Sequence, residues 1–200
     1  MEVVETDRLV LRRWCSDDLD ALTRVFAKAD VWWFPFKRGW TAEETEAFLN
    51  RKLQEWDSRG WSQWAVVDKA EQVLIGFLGL CPPTFLPEVM PTVEVGWRLD
   101  PDFWGRGLAT EGGHAALDFG FEVLELDEIV SIYEPENVAS GRVMEHLGMT
   151  RDRDTKHPER GIPLRVFKIR REAWQSLRTQ PHPHQVGTSA RPRSERRRSP

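Results

Sequence analysis

The sequence predicts one α/β domain followed by a short basic tail, on three observations. Apolar residues alternate between a period of two and a period near 3.6 in the order β-α-α-β-β-β-α-β-α-β-β. The 200 residues are 40% hydrophobic and 30% charged, the balance of a globular protein long enough to bury one ordinary core. The stretch TVEVGWRLDPDFWGRGLATEGG, residues 92–113, runs from strand alternation through a Gly-rich turn into a helix.

The elements follow in order. A strand over residues 9–14 leads to a helix begun by Ser16 or Asp17, with Leu19, Leu22, Val25, Phe26 and Ala29 on one face. Residues 32–40 are aromatic and interrupted by Pro35 and Gly39, so they read as a loop. Thr41-Ala-Glu-Glu44 has the form of a capping box and opens a second helix, with Leu49, Leu53 and Trp56, that stops near Gly60. Strands are expected over 62–67, 73–80 and 92–99. The helix over 107–123 repeats small or apolar residues every three or four positions and would span about 25 Å. A strand near 128–133, a helix over 137–147 ended by Gly148, and a hairpin of 149–154 with 164–169 complete the core. Residues 170–177 suit a last helical turn or two.

Charge divides the chain. The net charge is −4, but from Thr179 onward five arginines oppose Glu195 alone, which makes the tail +4 and the first 178 residues −8. The domain is therefore drawn as 1–178 and the Pro-, Ser- and Arg-rich segment 179–200 as a disordered tail. An acidic body argues against nucleic acid as the main ligand, except through non-specific contacts of the tail, and suits a cationic amine. No apolar run reaches the ~20 residues a bilayer span needs, and no membrane is implied. The acidic start MEVVETDRLV shows no export signal. Cys15 and Cys81 form neither a disulfide framework nor a zinc spacing; they read as two buried thiols of a cytoplasmic protein. No metal is implied. His182 and His184 lie in the tail without partner cysteines.

The Gly-rich turn reads as a phosphate cradle. Small residues at a helix mouth let backbone N–H groups approach an anion, and the helix N-terminus carries about half a positive charge to hold it. A dinucleotide fingerprint would need glycine five residues after Gly105, where Thr110 stands, and the Gly-Lys-Ser/Thr ending of a nucleotide triphosphatase is missing. The run does resemble the acyl-CoA pyrophosphate loop of the GNAT N-acetyltransferases, Arg/Gln-x-x-Gly-x-Gly/Ala, with Gly107 and Ala109 at the two small positions. Trp104 stands in place of Arg or Gln. That departure is similar to the branch of Rim-type ribosomal-protein N-terminal acetyltransferases, whose Trp-Gly-x-Gly-x-Ala-Thr-Glu matches Trp104 to Glu111.

The resemblance covers roughly residues 5–175. It implies a mixed, mostly antiparallel sheet splayed between the fourth and fifth strands, helices on both faces, and acetyl-CoA as co-substrate in the split. Cofactor contacts would come from the Trp97 and Leu99 backbone and from Trp104, Gly105, Arg106, Gly107, Leu108, Ala109 and Thr110.

A second motif, NVASGRVMEHLGM at 137–149, matches the family pattern at Asn137, Ser140, Gly148 and Met149. Asn137 suits an N-cap by its residue type; by resemblance it binds the cofactor's pantetheine arm or the substrate. Many relatives place a tyrosine acid seven residues after this Asn, where Met144 stands here. A departing thiol of pKa near ~8.5 needs only a hydroxyl donor, and Ser140 is the leading candidate with Tyr133 as alternate.

Acyl transfer to an amine also needs a base. Glu94 lies on the strand before the loop, opposite Val93, Val95 and Trp97; it is either the base or a solvent-facing residue. Glu111 suits the helix dipole, and His114 reads as a packing residue. The aromatic loop, with Trp32, Trp33, Phe36 and Trp40, either walls the acceptor site through cation–π contacts or covers the core edge.

The reading is an acetyl-CoA-dependent N-acetyltransferase acting by direct transfer in a ternary complex. A protein N-terminal α-amine ranks first as acceptor, by resemblance. The alternatives are a small amine (aminoglycoside, polyamine or amino acid), a CoA-binding module with weak turnover, or an RNA-associated protein acting through its tail. The oligomeric state is left open.

Overall fold

The computed structural model describes residues 3–179. One eight-stranded sheet organises the chain: β1 (Val3–Glu5), β2 (Leu9–Arg12), β3 (Trp64–Asp68), β4 (Val73–Cys81), β5 (Val93–Leu99), β6 (Glu128–Tyr133), β7 (Thr150–Lys156) and β8 (Pro163–Arg170). Their spatial order is β1-β2-β3-β4-β5-β6-β8-β7. Every pairing is antiparallel except β5 with β6. The helices are α1 (Leu19–Phe26), the single turn α2 (Trp33–Phe36), α3 (Ala42–Arg59), α4 (Leu108–Asp118), α5 (Val138–His146) and α6 (Arg171–Thr179).

Adjacent residues of β4 show which helices cover which face, because side chains alternate along a strand. Phe77 packs against Phe26 of α1 and Phe48 of α3. Its neighbour Leu78 reaches the opposite face, where its Cδ1 lies 2.8 Å from where a Cβ on Gly112 of α4 would stand. That close approach requires glycine in the helix. Tyr133 packs over Gly141, and Trp174 lies 5.1 Å from Phe121 with its indole donating to Asp118. Helices α4, α5 and α6 therefore share the face opposite α1 and α3.

Local chemistry sets most element ends. Thr41 and Glu44 form the expected capping box of α3, and Gly60 ends it at φ 76°. Asn137 caps α5 by accepting from the Ser140 N–H at 3.2 Å. The expected helix over 107–123 is α4 followed by a π-helical turn, Phe119–Val123.

Four expectations need correction. Strand β1 was not anticipated, because three residues are too few to show alternation, so the strands expected as fourth and fifth are β5 and β6. The first helix opens as a 3-10 turn, Ser16–Asp18, and ends at Phe26, which leaves Ala29 in a second such turn. Cys15 is exposed rather than buried, since it stands at the turn before Ser16 with its N–H on Asp18; Cys81 is half-buried. Helix α6 runs to Thr179, two residues past the expected 177; the rest of the tail, with His182 and His184, lies outside the described residues.

A paired charge joins β2 to α1. Both guanidinium nitrogens of Arg12 donate to Asp18, at 2.8 and 2.6 Å, and the Cys15 N–H donates to it as well. Asp18 is buried, and its carboxyl sits below its ordinary range because the bonds from Arg12 and Cys15 outweigh the cost of burial. A depressed carboxyl stabilises the fold above its unfolded pKa and loses that contribution as pH falls through the folded value. Asp18→Ala is expected to cost about 2–3 kcal/mol by leaving the Arg12 charge unpaired. Urea melts at pH 7 and pH 3 check this, since the wild-type advantage should shrink at the lower pH.

Candidate active site

Where β5 meets β6, the sheet opens. The two strands pair only at Val93–Ile129 and Glu94–Val130, although β5 continues to Leu99. Side chains close the ladder at the point of divergence. The buried Ser131 hydroxyl donates to the Val95 carbonyl at 2.8 Å, and the Ile132 backbone N–H supports the Glu94 carboxylate. Beyond them lies a wedge of unpaired backbone, the split that the resemblance implies between these two strands.

The first turn of α4 stands at the wide end. Gly105 and Gly107 take φ values of 72° and 77°, a left-handed region that costs other L-residues ~1–2 kcal/mol. Gly107 is the N-cap and offers no side-chain acceptor. The amides of Leu108, Ala109 and Thr110 precede the first internal bond, from the Glu111 N–H to the Gly107 carbonyl at 3.0 Å. An α-helix leaves its first amides without intrahelical partners. At α3 and α5 a side chain takes part of that load; at α4 none does. Such a mouth fits a diphosphate by charge and by donor count.

Sequence reasoning overlooked Arg8. Its Nη1 donates to the Arg106 carbonyl at 2.7 Å, its Nε to Glu111 at 2.6 Å, and its Nη2 lies 3.6 Å from where a Cβ on Gly107 would stand. A second cation therefore stands beside the cradle. Glu111 also accepts from Thr6 Oγ1 and the Arg8 N–H, so it ties the N-terminal segment to α4. The Trp104 indole donates to the Leu99 carbonyl at 2.8 Å, and the Arg106 side chain bends back to the Asp102 carbonyl. Trp97 is half-buried and Leu99 buried.

Glu94 marks the narrow end. Its register with Cys81, and that of Arg98 with Phe77, put Glu94 and Arg98 on the α1/α3 face. Burial pushes the Glu94 carboxyl up to about 8, against the opposing pull of the Ile132 N–H, Arg98 and Lys52. Burial likewise pushes the neighbouring Cys81 thiol up to about 12, which makes it a poor nucleophile at neutral pH. Lys52 is itself buried and paired to Glu55 at 2.8 Å.

The aromatic loop splits into two layers. Trp32 and Trp40 stack at 3.5 Å with an 8° interplanar angle, and both pack edge-on against the fully buried Phe26. They belong to the core under the loop, because the first helix ends early enough for the chain to fold back over Phe26. Trp33 is 47% exposed and faces outward, whereas half-buried Phe36 packs edge-on against Trp32 and Trp40. Arg98 holds the layers to the sheet, its Nη1 on the Val31 carbonyl at 2.8 Å and its guanidinium 4.1 Å from the Trp32 ring.

On the opposite face, Ser140 stands in the first turn of α5, half-buried, with its hydroxyl free of hydrogen bonds among the described residues. Met144 is buried. Tyr133 is buried rather than solvent-facing, its ring pressed on Gly141 and its hydroxyl accepting from Arg165 at 3.4 Å. Two hydroxyls thus flank the start of α5. Among the described residues no helix is long and apolar enough to cross a membrane.

An opened sheet with an uncapped helix mouth at one end and the Glu94 carboxyl at the other is an arrangement that suits acyl transfer. Residues 8–150 match the family described as acetyltransferase (GNAT) domain, and the chain belongs to that family. Its members take the acetyl group from acetyl-CoA as co-substrate. The uncharacterized N-acetyltransferase YnaD of Bacillus subtilis is 28% identical over 149 residues, 74% of this chain and 83% of that protein. The FsC-acetyl coenzyme A-N(2)-transacetylase of Aspergillus fumigatus is 34% identical over 93 residues, 46% of this chain and 40% of its own. The crystal structure of a GNAT-family acetyltransferase from Bacillus anthracis aligns at TM-score 0.71 and 27% identity, covering 85% of this chain and 99% of the other. The ribosomal-protein-S5-alanine acetyltransferase of Vibrio fischeri aligns at TM-score 0.70 and 19% identity, covering 87% and 99%. At that identity the likeness is one of fold.

Proposed function

We propose that this acetyltransferase acts on an α-amine, foremost the N-terminus of a protein, by direct transfer in a ternary complex. Acetyl-CoA supplies the acyl group as a thioester, and every other element of the reaction falls to side chains and amides of this chain. The backbone amides from Gly105 through the first turn of α4 to Thr110, with Arg8 beside them, hold the diphosphate. The free edge of β5 accompanies the pantetheine arm toward Glu94, and Asn137 adds a polar contact from α5. Glu94 takes one proton from the acceptor ammonium, so that the nitrogen can form the amide as the thioester C–S bond breaks. The Ser140 hydroxyl, or Tyr133 in its place, passes a proton to the departing sulfur and recovers the second proton from the nitrogen, so that coenzyme A leaves as the thiol. The acceptor enters past Trp33 and Phe36.

The choice of amine rests on the place of Glu94 at the narrow end of the split, where burial raises its carboxyl to about 8. A protein α-ammonium has a pKa of roughly 7.7–8.0, so passing its proton to Glu94 is close to thermoneutral. An alkylammonium such as a lysine side chain, near ~10.4, would make the same transfer uphill by about 3 kcal/mol. The Trp104–Glu111 match to the Rim-type branch agrees with a protein N-terminus. A small molecule with an α-like amine is the second reading, favoured by the local likeness to the N(2)-transacetylase of Aspergillus.

A panel assay tests this reading. Thiol release from acetyl-CoA is followed with free-N-terminal peptides, the same peptides N-blocked but carrying lysine, spermidine and an aminoglycoside, and products are weighed by mass spectrometry. Peptides with a free α-amine should gain one acetyl group, and blocking that amine should stop the reaction. Faster turnover of spermidine or the aminoglycoside would overturn the α-amine assignment.

A further inference from the structure

Three cations at the acceptor entrance differ from most others in the molecule. Most lysines and arginines among the described residues hold a carboxylate within 4 Å. Lys37, Arg98 and Arg160 do not, and each lies over an aromatic ring instead. Lys37 Nζ is 4.2 Å from the Phe34 centroid, Arg98 Cζ 4.1 Å from Trp32 and Arg160 Cζ 4.6 Å from Phe36. They come from three separate parts of the chain: the end of α2, strand β5 and the β7–β8 hairpin. A ring face binds a cation more weakly than a carboxylate does, so these groups keep capacity for an anion.

They also converge. The rings under Arg98 and Arg160, Trp32 and Phe36, lie 5.8 Å apart, and Lys37 directly follows Phe36. All three cations also act on Glu134, just past β6, which forms no ion pair among the described residues. Glu136 is the other acid acting at that point. Glu94 also faces Arg98. Once the acceptor ammonium is paired with Glu94, three cations against the two remaining carboxylates leave one positive charge in excess, on a body whose first 178 residues sum to −8. The local sign of the field is opposite to the global one, and the local one meets the acceptor.

Glu94 and Arg98 lie on one face of β5, four residues apart, or roughly 13 Å along the strand. An extended peptide advances roughly 3.3–3.6 Å per residue. With its amine at Glu94, its second to fifth residues run from Glu94 to the level of Arg98, beside which Lys37 and Arg160 stand.

We propose that the acceptor is a peptide bearing an acidic side chain within residues two to five, received by Lys37, Arg98 and Arg160 while its α-amine lies at Glu94. This rests on Glu94 being the base of an amine-acceptor site. An aspartate or glutamate at those positions cancels the excess charge, whereas a lysine doubles it. Exposed Trp33 and Phe85 supply apolar shoulders for the intervening residues.

Matched hexapeptides with the same first residue test the proposal, with Glu, Gln or Lys at positions two to five. Initial rates of thiol release from acetyl-CoA are measured at low and high salt. Glutamate peptides should exceed lysine peptides by at least tenfold in kcat/KM, chiefly through KM, and salt should erode the advantage. In the Lys37→Met/Arg160→Met double variant, folded by its circular dichroism melt, the ratio should fall toward one. Arg160→Glu should tilt it toward lysine. Equal or better use of lysine peptides by the wild type, or a ratio the variants do not move, overturns the proposal while the base assignment stands. Bound acetyl-CoA with no turnover of any peptide overturns both together.

Discussion

Glu94→Gln is expected to lower kcat/KM by roughly 10²–10⁴-fold, the range a general base supplies, with acetyl-CoA binding retained. The substitution keeps shape and removes the proton acceptor. The pH profile gives an independent readout. A base works when ionised, and Glu94 holds its proton up to about 8 because burial outweighs the pull of Ile132, Arg98 and Lys52. The wild-type rate should therefore climb through neutrality and level off above about pH 8, and an acid limb centred below pH 6 would remove Glu94 from the role. Stability runs the other way. A carboxyl whose folded pKa lies above its unfolded value of about 4.3 favours the fold while protonated, so that contribution is lost as pH rises from there toward 8. Thermal melts at pH 9 should accordingly find Glu94→Gln more stable than the wild type, with the difference vanishing at pH 4.

Gly107→Val is expected to weaken acetyl-CoA binding by two orders of magnitude or more. The residue sits at φ 77° as the N-cap of α4, where a β-branched side chain is strained by about 1–3 kcal/mol. Relief of that strain swings the Leu108, Ala109 and Thr110 amides away from a common point, and each lost charge-assisted bond removes a further ~1.5–3 kcal/mol. Gly105→Ala serves as the comparison. It shares a positive φ, but a Cβ there meets nothing within 4 Å, and it lies outside the helix. Its effect on acetyl-CoA KM should be several-fold smaller. Equal losses in the two variants would show that the turn matters only as a hinge.

How far the sequence revealed the site depends on how local each feature is. The Thr41–Glu44 box, the Asn137–Ser140 cap and the strand-turn-helix around Gly107 are each set within a few residues, and each takes the form its spacing predicts. The face of Glu94 also followed from strand alternation. What stayed hidden depends on distant neighbours. Arg8 reaches the cradle through a partner 103 residues away, Glu111. Arg98 looks like an outward charge on an alternating strand until the loop from Val31 to Trp40 folds over it. Glu134 gains its meaning only from Lys37, Arg98 and Arg160, which are remote from it in the chain and joined by the topology. Trp32 and Trp40 could be read in one dimension either as an acceptor wall or as cover for the core edge, because their depth is set by Phe26 and the early end of α1.

Calorimetric titration with coenzyme A tests most directly whether the mouth of α4 and the split beside it form an acyl-CoA site. The wild type should take up one equivalent with a saturable heat in the micromolar range, and Gly107→Val should lose that heat while Glu94→Gln keeps it. Absence of any heat from the folded wild-type protein at millimolar coenzyme would contradict the account at its root.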